Sequence, residues 1–132
     1  HRIAQYGKQF KCPRRDVGLM WIFTTHGFIS IVQNKDIPDQ FQIKSRVPEP
    51  LELLWPEHEI QVLDWADYMF RINVPKSEVF SVLIEITESV DYTSFKHECE
   101  NDQSYHDALV RVWTVMYNYQ IRMEAVENGA EI

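Results

Sequence analysis

The sequence predicts an α+β domain: an antiparallel sheet of about four to five strands, opened by an N-terminal hairpin and covered by two or three C-terminal helices. Three observations lead there. Residues 20–47 are dense in β-branched and aromatic side chains. After Pro75 the apolar period changes from two residues to that of a helix. The early apolar runs are joined by connections that favour antiparallel neighbours over parallel crossovers.

Residues 20–32 form two β-rich runs broken by Thr25-His26-Gly27, where glycine can take a positive φ, so they read as a hairpin. Trp21 and Phe23 fall on one face of the first run, with Met20 and Ile22 on the other. Apolar groups on both sides predict a central strand with both faces covered. Next, Phe41, Ile43 and Val47 alternate with Gln40, Gln42, Lys44 and Arg46, the pattern of a half-exposed strand. Pro48 and Pro50 end it, and residues 51–55 are expected to make at most a short helical turn.

Residues 59–63 and 68–74 read as a second strand pair, with Tyr68, Phe70, Ile72 and Val74 directed inward. Val79, Val82, Leu83, Ile86 and Val90 then recur at helical spacing opposite Glu78, Glu85 and Glu88, an amphipathic helix. Residues 95–100 suit a short helix. The cluster 101–104 offers N-caps for a last helix reaching about Val126, with Asn128-Gly129 at its C-terminal end.

A chain of 132 residues with 45% hydrophobic content suffices for one core, so a single domain over residues 20–132 is expected. No apolar run approaches the roughly 20 residues of a membrane span, and no export leader is legible. A cytoplasmic, membrane-free protein follows as the expectation. Cys12 and Cys99 lack the spacing of a disulfide framework and read as reduced thiols.

Charge divides the chain. Residues 1–19 carry Arg2, Lys8, Lys11, Arg14 and Arg15 against Asp16, a net of +4 that marks a basic leader or tail. The formal charge of the whole is −7, which leaves −11 for residues 20–132. So acidic a body repels phosphate backbones, and general nucleic-acid binding is not expected.

Four glycines (Gly7, Gly18, Gly27 and Gly129) exclude a dinucleotide-binding turn and a P-loop. The signatures H-E-x-x-H, C-x-x-C and G-x-S-x-G are also missing, and no cofactor is expected. His97, Cys99 and His106 are zinc-donor types, but on a helix His97 and Cys99 point some 200° apart, so no metal site is assigned. His26, the Glu57-His58-Glu59 cluster and the pair Asp64 and Asp67 could act in acid–base chemistry if buried together; at turns they read first as exposed residues. Trp21, Phe23 and Phe28 are the residue types of RNA-stacking sheets, but without an RNP motif they read as core.

Two features remain. Arg46 and Arg71 lie on strands, and with Tyr92, Lys96 and His26 they are candidates for a small anionic-ligand site, since the guanidinium fork matches carboxylate and phosphate groups. On the last helix Tyr105, Leu109, Val112, Met116, Tyr119 and Met123 make one apolar stripe, expected to cover the sheet. Val110, Trp113, Tyr117 and Ile121 make a second, roughly 140° around at 100° per residue. That surplus either packs with Phe80 and Ile84 within one chain or forms a homodimer interface.

The run 20–32, Met-Trp-Ile-Phe-Thr-Thr-His-Gly-Phe-Ile-Ser-Ile-Val, resembles the opening of a group of short uncharacterised bacterial proteins that begin Met-Trp-Val/Ile-Phe-Thr and continue Gly-Phe-Phe-Ser-Val-Val. Tyr68-x-Phe70-Arg71 and Asp91-Tyr92-x-x-Phe95-Lys96 extend the similarity over most of residues 20–117. The resemblance implies a natural start at Met20, with residues 1–19 an upstream extension of the kind seen in mobile (integron) gene cassettes. It implies no catalytic residue. The expected function is a small non-enzymatic binding or protein-interaction module, with an enzyme or anionic-ligand binder using Arg46, Arg71, Tyr92 and Lys96 as the alternative.

Overall fold

The computed structural model describes residues 19–129. The described residues fall into two compact units, the first running to Val90 and the second starting at Asp91. Of the basic leader only Leu19 is among the described residues, and it opens the first strand.

The first unit holds β1 (Leu19–Thr24), β2 (Gly27–Gln33), β3 (Gln40–Ser45), α1 (Glu49–Leu54), β4 (Gln61–Val62), β5 (Phe70–Pro75) and α2 (Lys76–Glu88). The five strands form one antiparallel sheet in the order β1-β2-β3-β5-β4. The predicted hairpin is present. Thr25 and His26 make its turn, the Thr24 hydroxyl accepts from the His26 N–H at 3.0 Å, and Gly27 takes φ 135°. A Cβ at Gly27 would collide with the ring of Pro50, so glycine there serves both the turn and the close approach of α1. Between β2 and β3 the Asn34 side chain accepts from the Asp36 and Ile37 amides, an Asx turn.

Register fixes which residues share a face. Ile31, Ile43 and Ile72 stand in one cross-strand row, flanked by Ile22 opposite Ile29 and by Phe41 opposite Val74. On this face Ile29, Ile31, Ile43, Ile72 and Val74 are buried together with Leu51 and Trp55 of the α1 region and Val79 of α2. The two helices of the unit therefore pack on one face of the sheet, joined by partly buried Leu54, Val82 and Leu83.

Three strand-level expectations are corrected by this arrangement. First, β1 is an edge strand and not a central one. Its two apolar sides arise because Met20 and Ile22 share the core face while Trp21 and Phe23 share the other. Second, the strand expected over residues 59–63 shortens to Gln61–Val62. Third, Phe70, Ile72 and Val74 point inward as expected, but Tyr68 precedes β5 and its ring lies near Phe28, on the face away from the core.

The second unit holds α3 (Phe95–Glu98) and α4 (Gln103–Glu127). Ser94 caps α3, and the Asp102 carboxylate caps α4 by accepting from the Tyr105 N–H at 3.1 Å. Asn128 and Gly129, with φ 81°, close α4 where the sequence placed its end. Within the expected covering stripe Leu109 is buried, whereas Met116 and Tyr119 stay exposed. No helix among the described residues is long and apolar enough to cross a membrane.

Candidate functional site

The pleat that sends isoleucines into the core sends a different set of residues to the opposite face. Pairing aligns Trp21, Ser30, Lys44, Arg71 and Gln61 in one row across all five strands. Strands lie about 4.8 Å apart, so Lys44 stands about 10 Å from Trp21 and Arg71 about 14 Å, measured along the row. Ser30, small and buried, forms the floor between Trp21 and Lys44. The adjacent row pairs Phe23 with Phe28, whose rings stack at 4.7 Å. Trp21 meets Phe28 edge-on at 5.7 Å, and Tyr68 follows at 6.4 Å. Trp21 remains 59% exposed.

Arg46 and Arg71 converge on Tyr68. The Arg46 guanidinium lies 4.2 Å from the centre of the Tyr68 ring and donates to the Asp67 carboxylate at 3.0 Å. That hydrogen bond raises its pKa further above the ordinary value. Arg71 donates to the Tyr68 carbonyl at 2.9 Å and, at 3.4 Å, to the Gln42 side chain; its buried Nε has no partner among the described residues. Lys44, half-buried beside Arg71, makes no hydrogen bond or ion pair among the described residues. Burial lowers its pKa first, then repulsion from Arg71 and Lys35, against a smaller opposing pull from Asp67. Among the described residues no strand position of the sheet carries a carboxylate, although the chain has 20 acidic residues. The outcome is an aromatic surface bordered by three cations and one carboxylate.

The other sequence candidates lie elsewhere. His26 is exposed in the hairpin turn, where its backbone N–H donates to the Thr24 hydroxyl. Tyr92 and Lys96 belong to the second unit, Tyr92 beside Phe95 at 6.2 Å and Lys96 over the Trp113 ring at 4.6 Å. Val110, Trp113, Tyr117 and Ile121 all lie on the exposed part of α4, with Trp113 and Tyr117 stacked at 5.2 Å. The acid–base candidates separate likewise. Asp67 neutralises Arg46, whereas His58 pairs through Nε2 with Glu78 at 2.9 Å. His58 and Glu78 line a pocket of about 290 Å³ together with Trp55 and Val82.

Sequence reasoning missed Lys44, which it treated only as the wet side of β3. It also missed Tyr68, which it turned inward. The available signal was the alternation itself: Gln42 and Lys44 on β3 and Arg71 and Asn73 on β5 occupy the same face as Trp21 once the strands are put in register. Comparison of the chain with protein-family models, with curated proteins and with solved structures finds no match.

Proposed function

We propose that the chain is a non-enzymatic binding module that takes an anionic ligand with a flat aromatic portion on the open face of its sheet. Lys44 is the observation that carries this reading. In a chain rich in carboxylates it sits half-buried, next to a second cation and without an ion pair among the described residues, an arrangement that costs the folded protein free energy and that an incoming anion would relieve. Arg71 adds to the positive potential, and Arg46, paired with Asp67, stands beside it. Trp21, exposed in the same row, offers the stacking surface for the flat part of the ligand. Of the five anion-site candidates, Arg46 and Arg71 belong to this reading, and His26, Tyr92 and Lys96 do not enter it.

A thermal-shift series with a nucleoside monophosphate, a naphthalene sulfonate and inorganic phosphate tests it. A ligand that binds only the folded state raises the melting temperature. The two aromatic anions are expected to do so more than phosphate, and Lys44→Met is expected to abolish the response. Equal responses from the protein and Lys44→Met would remove the reading.

A second activity, self-association, is favoured by α4. Trp113 is 51% and Tyr117 46% exposed on the stripe they share with Val110 and Ile121, and Phe80 and Ile84 of α2 are exposed as well. Exposed aromatic stripes of this kind mark partner surfaces, and a two-fold dimer is the commonest use. Light scattering is expected to find a dimer that Tyr117→Lys with Ile121→Glu converts to a folded monomer. A monomer at high concentration in the unmodified protein would refute it.

A further inference from the structure

We infer that the ligand of the open face is single-stranded nucleic acid, an inference that rests on the reading of that face as a site for flat aromatic anions. Two observations extend that reading from a small molecule to a strand.

The first is repetition. The row of Trp21 pairs an exposed aromatic with Lys44 and Arg71. The neighbouring row pairs the Phe23 and Phe28 rings, with Arg46 two residues beyond Lys44 and stacked on Tyr68. Aromatic and cation therefore recur together after two residues of strand, about 6.6 Å. A polymer whose bases and phosphates alternate matches a surface on which stacking rings and cations alternate. A small molecule needs only one such pair.

The second observation is shape and charge. The cluster lies on the sheet face opposite α1 and α2, where Trp21 is exposed and Lys44 half-buried. Small ligands favour concave sites, whereas unpaired bases are read on open sheets by stacking. Among the described residues no acidic side chain occupies a strand position there, and Asp67 alone pairs with one of the three cations. Phosphates can thus approach this face of a chain whose net charge is −7. The small number of cations also fixes the character of the binding. Single strands lose affinity with salt at a slope of about −0.7 per phosphate neutralised, so three cations give a slope no steeper than about −2. Stacking supplies the rest. Duplex DNA, whose bases are already stacked on one another, can use only the cations.

The test is fluorescence anisotropy of labelled dodecamers of thymidylate and of uridylate, of a mixed-sequence duplex, and of an oligoglutamate peptide, with the full chain at low salt. Thermal shift with a nucleoside monophosphate is run beside it. The inference expects at least one single-stranded dodecamer to bind, about tenfold or more tightly than the duplex or the peptide. Trp21→Ala and Lys44→Met should each weaken that binding about tenfold or more while circular dichroism stays unchanged. Should either variant unfold, Trp21→Leu or Lys44→Gln, expected to weaken the binding to the same extent, takes its place. Binding of the monophosphate with no dodecamer bound overturns the strand inference and leaves the small-anion reading standing. Failure of both overturns both. Equal binding of duplex and single strands, tighter binding of the peptide, or unchanged binding by the variants also overturns the inference.

Discussion

Ile43→Ala against Trp21→Ala measures which face of the sheet is core. Ile43 is 0% exposed and lies in register between Ile31 and Ile72. The substitution removes three carbons, worth about 2.4 kcal/mol at ~0.8 kcal/mol for each buried methylene. The flanking isoleucines are themselves held by the ladder and cannot collapse into the space, so a cavity contribution raises the cost to about 3–4 kcal/mol. For a unit of this size each kcal/mol lowers the melting temperature by about 4–8 °C, giving a fall of about 12–30 °C. Trp21, larger but 59% exposed at the sheet edge, should cost under about 1 kcal/mol. Phe23, half-buried and stacked on Phe28, should fall between them, at about 1–2 kcal/mol, below the ~3–5 kcal/mol of a fully packed phenylalanine. Thermal melts followed by circular dichroism, with urea midpoints at unchanged slope, read all three. Trp21→Ala as damaging as Ile43→Ala would refute the reasoning, because the second face would then be a second core.

Gly27→Ala should destabilise by about 2 kcal/mol or more, since the new Cβ meets the Pro50 ring and φ is 135°; a neutral urea midpoint would contradict that. Lys44 titrates below its ordinary 10.5, so its charge opposes folding at neutral pH and the penalty fades as pH rises from the folded value towards 10.5. Lys44→Met should therefore be at least as stable as the protein at pH 7 and lose that advantage in alkaline buffer, as read by paired melts across pH. Burial, then Glu98 and Asp102, push the Cys99 thiol above its ordinary range, so peptide mapping after iodoacetamide at pH 8 should find it unmodified until the chain is denatured.

The elements were legible in the sequence wherever one physical signal dominated. The change of period at Pro75 marked α2, whose bounds are Lys76–Glu88, and Asn128-Gly129 marked the end of α4. Gly27 and the alternation from Gln40 marked the hairpin and β3. What misled was the assumption that an apolar side must be a covered side. Trp21 and Phe23 satisfied the pattern of a buried strand equally well, yet strand order leaves β1 at the edge with its aromatics on the face opposite α1 and α2. Lys44 was invisible as a site residue for a related reason. Alternation assigns it to the polar side of β3, but only pairing with β2 and β5 brings it into line with Trp21 and Arg71. Arg46 and Arg71 were chosen for their chemistry, and their meeting at Tyr68 depends on a loop conformation that no spacing rule encodes.

The most direct test of the open face as the binding site is backbone amide NMR during titration with a nucleoside monophosphate. The account predicts that the resonances of Trp21, Ser30, Lys44 and Arg71 move together and saturate, while those of Leu51 and Val79 beneath the helices stay in place. Shifts confined to His58, Ser77 and Glu78 around the pocket, or to the α4 stripe, would contradict it, as would a titration that moves no resonance at all.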